Sequence, residues 1–121
     1  MPPALDIEYD PYDKRHECHG LSKARMLDWI KSFSDEVRRL TGRRPVICTT
    51  THSRNLCTAA AAPSAPTTPF GSPAMTRRPG ALPAGWSTWT LWQYGNGGTL
   101  PGDKNLFNGS LDRLKKFARG A

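Results

Sequence analysis

The sequence predicts an α/β fold, on three observations. Ala4 to Tyr9 alternates apolar and acidic side chains with the period of a strand. Met26, Trp29, Ile30, Phe33, Val37 and Leu40 recur at helical spacing and form one apolar stripe. Pro45 to Thr51 is short and rich in β-branched residues, which reads as the next strand. Strand, helix, strand is the order of a parallel α/β unit.

Each element has its own local reason. In the first strand, Leu5, Ile7 and Tyr9 share one face while Asp6 and Glu8 share the other. Asp10 to Gly20, rich in charge and histidine, reads as loop, and neither His16 nor His19 is given a role. Ser22 can cap the helix at its start. Arg38 and Arg39 suit the negative end of its dipole, and Gly42 suits the position just past its end. Ser87 to Tyr94 alternates aromatic residues as a further strand, with Trp92 and Tyr94 on one face. A Gly-rich turn over Gly95 to Gly102 leads to Asp103–Phe107. Ser110 can then cap a last helix whose apolar positions are Leu111, Leu114, Phe117 and Ala118. Ala59 to Arg78 has no period and reads as irregular, dividing the chain into 1–58, 59–80 and 81–121.

Composition bounds the function. With 121 residues, the chain is one domain at most, or a piece of a larger one. Eleven Gly, eleven Pro and a hydrophobic fraction of 37% describe a loop-rich chain with a thin core. No run approaches the roughly 18–20 apolar residues that span a bilayer, so no membrane insertion is expected. Met1 to Asp6 lacks the basic start and apolar stretch of a signal peptide. A net charge of +7 favours polyanionic partners, including nucleic acid and the acidic polymers of bacterial walls. The Lys and Arg residues are scattered and no nucleic-acid motif accompanies them, so no nucleic-acid partner is expected. Three cysteines allow either a Cys18–Cys57 disulfide with a spare thiol at Cys48 or three reduced thiols, and their spacing does not match a metal site.

The pattern that carries chemistry is Asp6-x-Glu8. Residues i and i+2 of a strand project from one face, so both carboxylates enter one cleft. Neighbouring carboxylates suppress each other's ionisation, which raises a pKa toward neutrality. Glycoside hydrolysis needs such an arrangement: a protonated acid for the leaving oxygen and a carboxylate for the oxocarbenium-like centre. Taken alone, Asp-x-Glu more often marks two solvated acids.

Its context is specific. Ala4-Leu5-Asp6-Ile7-Glu8-Tyr9, Gly20-Leu21-Ser22, Trp29-Ile30, Thr41-Gly42-Arg43 and Pro45-Val46-Ile47 resemble the middle strands of glycoside hydrolase family 25 lysozymes. The resemblance resumes at Leu82-Pro83-Ala84-Gly85-Trp86, Trp92-Gln93-Tyr94 and Gly102-Asp103-x-Asn105-x-Phe107-Asn108-Gly109-Ser110, covering roughly 100 of the 121 residues in order. It implies about the C-terminal half of a TIM-like (β/α)-barrel and an N-acetylmuramidase. Such an enzyme cuts the β-1,4 bond between N-acetylmuramic acid and N-acetylglucosamine in extracellular peptidoglycan, without a cofactor. Carried over, Glu8 would be the general acid, Asp6 the second catalytic carboxylate and Asp103 the completion of the acidic floor. Trp92 and Tyr94 would be sugar-stacking residues. Two other readings stay open: a truncated remnant that binds peptidoglycan without cutting it, and a small basic nucleic-acid-binding protein.

The chain also departs from the family. The resemblance begins at the family's fourth strand, which predicts bare sheet edges and marginal stability. His52-Ser53-Arg54 stand where the family usually has Asp-Trp-Trp, and Cys48 stands where it has a Tyr. Written back into codons and read one frame over, Pro69 to Thr76 permits Leu-Trp-Ile-Ala-Arg-Tyr-Asp, the family's sixth strand. This reading makes Ala59 to Arg78 a segment bracketed by compensating frameshifts. The expectation is that it neither forms a strand nor packs.

Overall fold

The computed structural model describes residues 1–58, 70–73, 79–83 and 85–120, with the backbone alone at 70–73. In chain order the elements are β1 (Ala4–Asp6), α1 (Lys23–Thr41), β2 (Val46–Cys48) and α2 (Thr51–Cys57). They continue with β3 (Phe70–Pro73), β4 (Leu91–Gly95), β5 (Lys104–Phe107) and α3 (Leu111–Arg119). The strands form one sheet in sequential order, parallel from β1 to β4 and antiparallel between β4 and β5. The α/β class expected from the sequence is therefore present, with β1 and β5 as the sheet edges.

Helix α1 forms where its caps predict. The Ser22 side chain accepts from the Arg25 N–H at the start, and Gly42 closes the end at φ 73° while its N–H bonds the Arg38 carbonyl. That left-handed φ is strained for any residue with a Cβ, although nothing else lies near the site. Gly42→Ala is expected to cost about 1 kcal/mol, read as a fall in the thermal midpoint. An unchanged midpoint would mean that the cap is not holding the helix end.

The buried face of α1 differs from the predicted stripe. Met26 and Ser34 are buried, with Leu27, Ile30 and Val37 beside them, whereas Trp29 and Leu40 are 46% and 66% exposed. The sheet beneath is short, so the helix seats one line of residues and its flank and last turn overhang. Trp29 then stacks on Phe33, ring centroids 5.6 Å apart, instead of entering the core. The core itself is Leu5 and Ile47, paired in register on one face of the sheet, with Met26, Val46, Cys57 and Trp92.

Four predicted segments need correction. The strand expected over Ala4 to Tyr9 ends at Asp6, so Glu8 lies past its end. The strand expected over Pro45 to Thr51 ends at Cys48, because Thr50 caps a new helix by accepting the Ser53 N–H. The strand expected over Ser87 to Tyr94 starts only at Leu91. The segment from Ala59 to Arg78, expected to form no strand, contributes β3, which pairs in parallel with both β2 and β4. A ladder slot between two strands is filled through backbone N–H and C=O groups, which nearly any sequence supplies. The rest of that segment, with Arg77 and Arg78, lies outside the described residues.

The chain's ends are tied in by polar contacts. Arg43 donates from Nη2 to the Phe117 carbonyl at 2.5 Å and from Nη1 to the Ala118 carbonyl at 3.2 Å, its guanidinium lying over the Phe117 ring. This seats α3 against the α1–β2 turn. Among the described residues, no helix is long and apolar enough to cross a membrane.

Candidate active site

The site grows from strand register. Asp6 pairs with Cys48, Cys48 with Gly71, and Gly71 with Leu91, so these positions share one sheet face. Leu5 and Ile47 occupy the opposite, core-facing positions. Glu8 lies two residues beyond Asp6, and Asp103 directly precedes β5 at the end of the antiparallel pair.

Electrostatics ties these residues together. The Asp6 carboxyl is raised above its ordinary pKa, first by burial and then by the Asp103 charge. Glu8 is raised as well, first by burial and then by the Asp6 charge. Both remain open to solvent at the rim, so a ligand can reach them. Because both carboxyls are raised, they favour the fold below the ordinary carboxylate range, and that contribution is lost as pH rises through the raised values.

Cys48 is the member that the Asp-x-Glu pattern did not reveal. Its thiol is pushed up to about 12 by burial, then by Asp6, Glu8 and Asp103 in turn. All three acid charges therefore act on this thiol, whose strand partner in register is Asp6. Period-two alternation through Val46-Ile47-Cys48 was the available signal. At neutral pH, alkylation of Cys48 by iodoacetamide is expected on the order of a hundredfold or more slower than that of an ordinary thiol. Labelling at the rate of a free cysteine would show that the acids do not surround it.

The loop between β1 and α1 holds Glu8 in place. Cys18 and Cys57 are joined by a disulfide, tying that loop to the end of α2, while Cys48 is free. Next to the bridge, His19 adopts φ 57°, and its Nε2 donates to the Glu8 carbonyl oxygen at 3.0 Å. Ser53 Oγ accepts the Tyr9 N–H at 3.4 Å, and His52 meets the Tyr9 ring edge-on at 4.9 Å. Asp10 accepts the N–H groups of Tyr12 and Asp13, and Asp13 pairs with His16 at 2.8 Å, so these acids shape the loop.

The two aromatic candidates are placed differently. Trp92 is 9% exposed, packed between Trp89 and Tyr94, and its register with Leu106 and Ser72 puts it on the face opposite Gln93. Tyr94 sits at a register shift between Gln93 and Gly95 and is 48% exposed. Such a bulge re-aims a side chain, so Tyr94 is the more accessible ring of the two. Gln93, in register with Pro73 two positions along from Leu91, lies on the Asp6 face. Among the described residues there is no cluster of three His, Cys, Asp or Glu side chains that could hold a metal ion.

A muramidase from Acremonium alcalophilum matches the whole of this chain with a TM-score of 0.91 and 39% identity, over 57% of its own length. A family GH25 lysozyme from Aspergillus fumigatus matches with a TM-score of 0.89 and 38% identity, covering 98% of this chain and 56% of its own. The N,O-diacetylmuramidase of Arthroderma benhamiae is 35% identical over 120 residues, which are 99% of this chain and 50% of that protein. The chain thus spans about half the length of the curated relatives it matches. Residues 1–103 match the family described as glycosyl hydrolases family 25, and the chain belongs to that family.

Proposed function

We propose that this chain carries the catalytic carboxylates of a muramidase, hydrolysing the β-1,4 bond between N-acetylmuramic acid and N-acetylglucosamine in bacterial peptidoglycan. The observation that supports it best is the upward displacement of Glu8 by burial and by its neighbour Asp6. A carboxyl kept protonated beside a second carboxylate can deliver its proton to the glycosidic oxygen while the neighbour stabilises the positive charge growing on the sugar. In this reading Glu8 is the general acid, Asp6 the second carboxylate and Asp103 the third acid of the floor, whose charge raises Asp6. Tyr94 offers the sugar a ring face, and Trp92 supports that ring from behind. The sheet is about the C-terminal half of a TIM-like barrel, and the wall outside the cell is the site of action.

A second reading is binding of peptidoglycan without cleavage. Purified walls separate the two in one experiment that follows turbidity and co-sedimentation together. Clearing that Glu8→Gln removes supports hydrolysis. Co-sedimentation without clearing, by protein shown to be folded, replaces it with the binding reading.

A further inference from the structure

Glu8 lies where the chain has already left the sheet. The last backbone bond at this end of β1 runs from the Ile7 N–H to the Cys48 carbonyl, and the next along the chain runs from the Asp10 N–H to the Glu17 carbonyl. Between them, the peptide group that joins Glu8 to Tyr9 is held by side chains. Its carbonyl oxygen accepts from His19 Nε2 at 3.0 Å, and its N–H donates to Ser53 Oγ at 3.4 Å. A carbonyl can only accept, so His19 carries a proton on Nε2. His19 belongs to the loop after β1 and Ser53 to α2, so the two contacts come from separate segments. The Cys18–Cys57 disulfide joins those segments beside both contacts: Cys18 precedes His19, and Cys57 lies one helical turn after Ser53. His19 also holds its left-handed φ of 57°, with Gly20 following at 72°. Such backbone persists where the surrounding structure imposes it.

We propose that His19 and Ser53 are positioning residues for the Glu8 carboxyl, clamping one peptide group at both of its polar atoms. The inference rests on the reading of Glu8 as the general acid. Fixing that peptide plane fixes ψ of Glu8, and with it the direction in which the side chain leaves the backbone. Proton delivery needs hydrogen-bond reach, and a displacement of about 1 Å can cost on the order of 10²-fold in rate. Both residues act through the backbone of Glu8.

The test follows wall clearing and the carbon-13 titration of the Glu8 carboxyl in variants of His19, an exposed residue. His19→Phe keeps a ring and loses the donor, whereas His19→Gln places an amide nitrogen at similar reach. His19→Asn tolerates the left-handed backbone but is too short to meet the carbonyl. In His19→Phe and His19→Asn the maximal clearing rate is expected to fall about tenfold or more, with the half-saturating wall concentration changed by less than about twofold. Their Glu8 titration is expected to move to lower pH, because a carboxyl swung outward loses the burial and the Asp6 charge that raise it. His19→Gln is expected to recover most of both. Ser53→Ala frees the other end of the same peptide group, so its addition to His19→Phe should cost far less than the two separate losses combined. A native Glu8 titration or a native clearing rate in His19→Phe would overturn the proposal. So would native values in His19→Asn, or damage in His19→Gln equal to that in His19→Phe, since the shape of the turn would then be what matters. If the native chain clears no walls, the general-acid reading fails, while the titration still decides the clamp.

Discussion

Glu8→Gln is expected to reduce wall clearing by about 10²–10⁴-fold, the usual contribution of a positioned general acid. Glutamine keeps the shape of the side chain and its backbone bond to His19, but it has no proton to give at the pH of the reaction. Activity that needs protonated Glu8 falls as pH rises through its pKa. That limb should lie above the ordinary glutamate range, because burial and the Asp6 charge both raise it. Asp6→Asn removes one of these causes, so a carbon-13 titration of Glu8 in that variant should move to lower pH. A Glu8 titration indifferent to Asp6, or clearing that survives Glu8→Gln, would refute the assignment.

Arg54→Met is expected to stabilise the chain by about 2–4 kcal/mol. An unsatisfied buried donor costs about 1–3 kcal/mol, more when charged, and Arg54 carries two such nitrogens. The stacking on Trp86 returns at most about 2 kcal/mol. Methionine has similar length, no donors and a flexible thioether that fills irregular space. In a domain of this size the gain corresponds to roughly 10 °C in thermal midpoint, read by calorimetry. A midpoint equal to or below that of the native chain would show that Arg54 is satisfied in solution.

Local reading succeeded where neighbouring residues suffice. Ser22 and Gly42 bound α1, Ser110 caps α3, and the Asp6 charge acts on its i+2 neighbour Glu8. It failed where two local structures compete for one stretch. Thr49-Thr50-Thr51 has the composition of a strand, but the Thr50 side chain is also a helix cap, and the cap prevails. Burial was misjudged for the same kind of reason. Trp29 and Ser34 lie roughly 140° apart around the helix, on opposite flanks of the apolar stripe, and only the position of the sheet beneath decides which flank is covered.

From the chain alone came the α/β class, the limits of the long helix, the carboxylate pair and, through the quoted motifs, its family. These depend on spacings of a few residues, which covalent geometry enforces before any packing occurs. Folding in three dimensions decided the rest: Cys48 within the field of three acids, β3 in its ladder slot, Tyr94 re-aimed at a bulge, and two Arg54 nitrogens buried without a hydrogen-bond partner. Each of these is a relation between residues distant in sequence. Charge and burial act through space, so no local pattern can carry them.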